Sequence, residues 1–141
     1  VSVELLHKTI ETHIETNLPA GIKRSYLENN PRDFSLPNSP MFFEGTEDFI
    51  IFKVKIEKGS SATVGNKAVR RVGIVSAEVH SQVDATDRTM YKMFDILSTF
   101  LERKNFSGIS FRDSSLTGDI AFSKWRRVTW TFSFITTQMI V

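Results

Sequence analysis

Three histidines, His7, His13 and His80, are the first side chains to try as metal ligands or general bases. Their spacing serves neither purpose, because a six-residue step sets His7 and His13 on different sides of one helix and His80 lies far along the chain. His7 shares a face with Glu11, in the manner of an ordinary helical contact. The chain contains no cysteine, which excludes disulfides, thiolate metal sites and cysteine nucleophiles. Gly59 to Lys67 echoes a phosphate loop, yet five residues separate Gly59 from Gly65, Asn66 precedes Lys67, and Ala68 offers no hydroxyl to magnesium. Among the carboxylates, Asp84 and Asp87 read as helix-capping groups, and Glu44, Glu47 and Asp48 stand before a strand with no basic partner placed by sequence. Asp113 and Asp119 flank Ser114, Ser115, Thr117 and Gly118, a composition that predicts a turn. These patterns predict no catalytic residue, no metal site and no cofactor.

What rises above background is basic charge. Lys53, Lys55, Lys58, Lys67, Arg70 and Arg71 decorate one predicted hairpin, and Lys124, Arg126 and Arg127 open the last predicted strand. Lys58, Lys67, Arg70 and Arg71 form a candidate assembly arm, with Lys124, Arg126 and Arg127 as a second basic contact. Lysine on a sheet edge is also a common defence against aggregation. The functional reading is a surface that meets nucleic-acid phosphates without reading bases. Aromatic residues that would stack on bases are missing from the arm, which disfavours a single-strand reader. The overall charge of +2 hides a division. Residues 1–48 hold four basic and eight acidic side chains, whereas residues 49–141 hold fourteen and eight. Such a division can create faces that attract copies of the same protein.

The elements that would carry these residues follow from hydrophobic period. At 141 residues the chain has the length of one domain and can bury a sizeable core. Its longest apolar run, Phe49 to Phe52, is far too short to span a membrane, and the first residues lack the pattern of a signal peptide, so a soluble protein is expected. Asn105-Phe106-Ser107 is then a chance sequon. Val3, Leu6, Ile10, Ile14 and Leu18 recur at helical steps, which predicts a helix over 3–17 with Ser2 as its cap. Residues 19–48 form a long connection rich in proline and asparagine, with a short strand expected near Ile22 to Leu27. Its many large apolar groups suggest that it lies across the domain or docks on a neighbour. Alternation predicts strands over 49–57 and 69–81, joined by a polar arm from Lys58 to Lys67. A helix over 85–104 carries the stripe Met90, Met93, Phe94, Leu97, Phe100 and Leu101, with Asp84 as cap and Arg103 and Lys104 in its last turn. Strands over 109–113 and 121–135 close the chain, the second with Val128, Trp130, Phe132 and Phe134 on one face. The expected architecture is α+β: a mostly antiparallel sheet of four to five strands, two helices packed on one face, and a long extended hairpin arm.

A chain of this length with that order of elements resembles the tail terminator family of long-tailed bacteriophages, which includes proteins described as tail-to-head joining or minor tail proteins. The likeness spans Val3 to Ile135 and rests on element order; the family has no short invariant motif, so it assigns no role to any individual residue. It implies a structural virion protein in the neck region of the tail, assembled in the host cytoplasm. It further implies a homohexameric ring that caps the tail tube, stops its elongation and offers a docking face to the head-completion or connector protein, with double-stranded DNA crossing the lumen. Two opposed surfaces suit such a head-to-tail ring. The alternatives are a stand-alone basic nucleic-acid-binding module, another head-tail connector ring and, third, a small enzyme with a pocket of converging polar groups. No membrane partner is expected.

Overall fold

The computed structural model describes residues 3–26, 48–61, 68–82, 86–122 and 125–139. Two helices and six strands follow one another: α1 (Val3–Asn17), β1 (Lys23–Tyr26), β2 (Phe49–Ser61), β3 (Ala68–Gln82), α2 (Asp87–Leu101), β4 (Asn105–Phe106), β5 (Ile109–Phe122) and β6 (Trp125–Met139). They build one sheet in the order β1-β2-β3-β6-β5-β4. β1 runs parallel to β2, and every other neighbouring pair is antiparallel. The α+β class and the mostly antiparallel sheet hold, with six strands where four to five were expected.

The register explains why the alternation in sequence becomes two unlike faces. Directly opposed residues share a face. Ile50 opposes Val79 and Phe52 opposes Ala77 across β2 and β3; Val79, Ala77 and Val75 then oppose Val128, Trp130 and Phe132 of β6. All of these are buried in one core with Leu6, Ile10 and Ile14 of α1 and Met90, Leu97, Phe100 and Leu101 of α2. The helical stripes thus meet the sheet as their period requires. Gly73, opposite Phe134, belongs to this face. A Cβ there would stand 2.4 Å from the Lys55 carbonyl oxygen and 2.5 Å from the Phe134 ring, so the ring occupies the space a side chain would need. The Tyr26 hydroxyl donates to the Glu15 carboxylate and fastens β1 to α1. Burial first, and then that carboxylate, push the phenol well above its ordinary pKa.

Several boundaries differ from expectation for physical reasons. The second helix is shorter than 85–104, and its N-cap is Thr86, whose Oγ1 accepts from the Thr89 N–H at 3.4 Å. Asp84 and Ser2, expected as caps, lie outside the described residues. The helix stops because Glu102 is extended and Arg103 turns to φ 54°, after which the Arg103 N–H donates to the Arg112 carbonyl and the Phe111 N–H to that of Lys104. Arg103 and Lys104 therefore join the sheet margin instead of the helical end. A tight turn follows, with Ser107 at φ 49° and Gly108 at φ 76° between the paired Phe106 and Ile109. That double positive φ is the geometry of a two-residue hairpin, and glycine suits its second position.

The expected turn at Asp113 to Asp119 is strand. β5 runs through it to Phe122, and two register shifts, at Phe111/Ser114 and at Leu116/Gly118, absorb the turn-like residues as bulges. Glu102 holds the first bulge, accepting from both the backbone N–H and the hydroxyl of Ser114. The arm also departs from its expected form. β2 and β3 stay paired to Ser61 and Val69, and Ala68 to Arg71 are flanked by Thr136 to Met139 of β6. Ala68 to Arg71 are strand because partners on both sides of β3 complete its backbone hydrogen bonds. Residues 62–67, the rest of the arm, lie outside the described residues.

Candidate interface on the open sheet face

The face of the sheet opposite the helices carries the other half of each alternating strand. Lys53 and Lys55 of β2 oppose Ser76 and Ile74 of β3, which in turn oppose Thr131 and Ser133 of β6. Arg70 opposes Ser60 and Thr137 in the same parity, so it joins this face. Lys53, Lys55 and Arg70 are exposed, while Val72, Ile74 and Ile135 beside them are half-buried. A carboxylate, Glu78, also lies here, 3.8 Å from Arg127.

The basic residues singled out from sequence separate in space. Arg70 and Arg71 are neighbours in the chain, but Arg71 is half-buried and shares the opposite face with Gly73 and Thr136. Lys58 sits in β2 opposite Val72, with only its backbone described, and Lys67 and Lys124 are outside the described residues. Arg126 is drawn into the fold: its guanidinium lies 2.7 Å from Asp87 at the start of α2 and 2.8 Å from Asp119 on β5. Those bonds raise the Arg126 pKa further and hold the Asp119 carboxyl below its usual value, the hydrogen bond between them being the main cause. Arg127 meets Glu78. The second basic contact therefore serves as tertiary bracing for two of its three members.

The face is closed at one end. Phe49, Ile51 and His80 are buried there, the Phe49 and His80 rings stacking with centroids 4.6 Å apart. Burial, and secondarily the charge of Arg127, lower the His80 pKa to about 4, so its imidazole is neutral at pH 7. The remaining histidines also have partners within the fold. His7 Nδ1 lies 3.6 Å from Glu11, and His13 stacks on Phe106 at 3.5 Å with its Nε2 2.9 Å from the Phe100 carbonyl oxygen. Among the described residues no group of three histidine or acidic side chains is placed to hold a metal ion, and no helix is long and apolar enough to cross a membrane.

Arg112 has no distinguishing pattern around it in the sequence. It lies within the first β5 bulge and lines one hollow together with Arg70, Ser110, Ile135 and Thr137. Its only sequence signal was a basic residue beside a predicted turn, indistinguishable from ordinary surface charge. The outer strand β5 also shows two large apolar side chains to solvent, Leu116 at 58% and Ile120 at 44% exposure. Opposed to Trp130 and Arg127 respectively, they project from different faces of the same strand.

Compared with models of known protein families and with curated proteins, the chain matches none.

Proposed function

We propose that this protein is a tail terminator, a structural subunit that joins copies of itself into a ring capping the tail tube of a long-tailed bacteriophage. The observation that carries this reading is the outer margin of the sheet. β4 pairs with only Ser110 and Ile109, so among the described elements β5 beyond that point is the last strand, and it presents Leu116 and Ile120. The opposite margin is different in kind: β1 pairs with Phe49 to Phe52 and leaves the later, lysine-bearing part of β2 outermost among the described elements. Two unlike margins on one subunit are what a head-to-tail ring requires, and exposed apolar groups at a strand edge favour a partner over solvent. The bulges in β5 discourage indiscriminate strand addition, so the contact would be made by side chains and not by a continued ladder. The described part of the arm packs within its own sheet, and the ring reading accordingly rests on the β5 margin instead of the arm. The separation of Arg70 and Arg71 onto different faces also halves the charge that this pair would present to DNA crossing a lumen.

Native mass measurement and negative-stain microscopy, with and without tail tubes, test the reading. A ring of several copies, or tubes capped and held at fixed length, is the expected result. The double substitution Leu116→Asp and Ile120→Asp should abolish it while the thermal unfolding midpoint of the monomer stays nearly unchanged. A wild-type chain that remains monomeric beside tubes that keep elongating would overturn it.

A further inference from the structure

The hollow shared by Arg70 and Arg112 is built by three adjacent strands. Arg70 of β3 stands opposite Thr137 of β6, and Ser110 of β5 stands opposite Ile135 of β6. Arg112 follows two residues after Ser110, where the extra residue between Phe111 and Ser114 breaks the ladder. Residues two apart on a strand share a face, and Arg112 lines the same cavity of about 330 Å³ as Ser110 and Arg70. β3 and β5 are separated by two strand spacings, roughly 10 Å, so the guanidinium groups come from opposite banks.

Charge makes this hollow unlike the surroundings of four other arginines. Arg24 meets Glu15 at 3.6 Å, Arg103 meets Asp113 at 2.5 Å, Arg126 meets Asp87 and Asp119, and Arg127 meets Glu78. Arg70 and Arg112 are both exposed, neither has a carboxylate partner among the described residues, and no described acidic side chain lines the hollow. The nearest acid in sequence, Asp113, is already taken by Arg103. Two like charges facing one cavity are mutually repulsive until an anion stands between them. Guanidinium forks match the oxygen geometry of phosphate, and the exposed Thr137 hydroxyl adds a further donor. The Ser110 hydroxyl is committed to Asn105 at 2.6 Å and fixes that wall.

We propose that this hollow is a phosphate-binding site, in which Arg70 and Arg112 donate to phosphate oxygens from two sides and Thr137 donates a third hydrogen bond. The site is complete within one subunit, so the proposal does not depend on ring formation. Its phosphate can come from a nucleic-acid backbone or from the free ion, and the two are separated by experiment.

The test follows the side-chain Nε–Hε signals of Arg70 and Arg112 by NMR at low ionic strength. Inorganic phosphate is titrated into the full chain and into R70Q, R112Q and R88Q, the last a control at an exposed arginine of α2. Saturable shifts confined to Arg70 and Arg112 are expected, weakened at least about tenfold by either R70Q or R112Q, as loss of a charge-assisted hydrogen bond predicts, and unaffected by R88Q. A short duplex DNA forms the second arm. If the backbone is the source, the slope of log affinity against log salt should fall by about 2 in the double variant R70Q/R112Q. If the slope is unchanged while inorganic phosphate still depends on both arginines, the site stands and free phosphate is its ligand. Phosphate shifts that are unsaturable, or a phosphate affinity read at the remaining arginine that is the same in R70Q and in R112Q as in the wild type, would overturn the site.

Discussion

On the helix-covered face of β2, β3 and β6, Ile50, Phe52, Val75, Ala77, Trp130 and Phe132 are packed against two helices, whereas the other face of the same strands presents Lys53, Lys55, Ser76, Arg70, Thr131 and Ser133. The two sets alternate residue by residue, so the same backbone ladder serves both. The difference teaches where the fold is held and where it is at liberty to vary. Packing on the first face fixes each side chain against several neighbours, while the second face makes few demands beyond strand compatibility. The division is not uniform along the strands. At the Phe49 end the open face also becomes buried, with Ile51 and the stacked pair Phe49 and His80.

The strongest way to break the comparison is to remove a large side chain from the covered face. Phe132, fully buried opposite Val75, should cost about 3–5 kcal/mol as Phe132→Ala, read as a lowered denaturant midpoint. A loss below about 1 kcal/mol would mean that the covered face is packed no more tightly than the open one.

An acid titration sharpens the contrast within the open face. His80 has a folded pKa of about 4 against 6.5 when exposed. Between these values the unfolded chain binds a proton that the folded chain refuses, so this contribution is fully present above pH 6.5 and is lost as pH falls through about 4. The loss should approach about 2–3 kcal/mol, allowing for structural relaxation around the ring. Unfolding free energies of wild type and His80→Gln measured from pH 7 to pH 4 should converge by that amount. Parallel pH curves would show that the His80 end is as solvated as the rest of its face.

The smallest effect belongs to the exposed lysines. Lys53→Gln with Lys55→Gln should change stability by less than about 0.5 kcal/mol, since neither side chain is buried. A larger loss in the same denaturation experiment would make these lysines part of the fold.

The covered face was legible because each of its strands obeys a period of two and each helix a stripe of three and four. Val128, Trp130, Phe132 and Phe134 could be read directly, as could Leu6, Ile10 and Ile14. β5 was legible only at its start, because Asp113 to Asp119 has the composition of a turn and neighbouring β6 with the Glu102 carboxylate makes it strand. The candidate site was half legible. Arg70 belongs to a basic cluster visible in the sequence, whereas Arg112 gains meaning only from the pairing of β3, β6 and β5 that sets it beside the same hollow.

The sequence by itself determined which residues face the core, since side-chain direction along a helix or strand is a local consequence of backbone geometry. It also determined the absence of thiol chemistry and the surplus of basic charge after residue 48. Only the tertiary structure decided which arginines are bound within the fold and which remain available. Arg126 finds Asp87 from 39 positions away, while Arg70 and Arg112, 42 positions apart, reach one hollow with no described acid between them. Such pairings depend on the strand order β3-β6-β5 and on where α2 packs against it. Neither is written in any local period, because both arise from long-range contacts between segments distant in the chain.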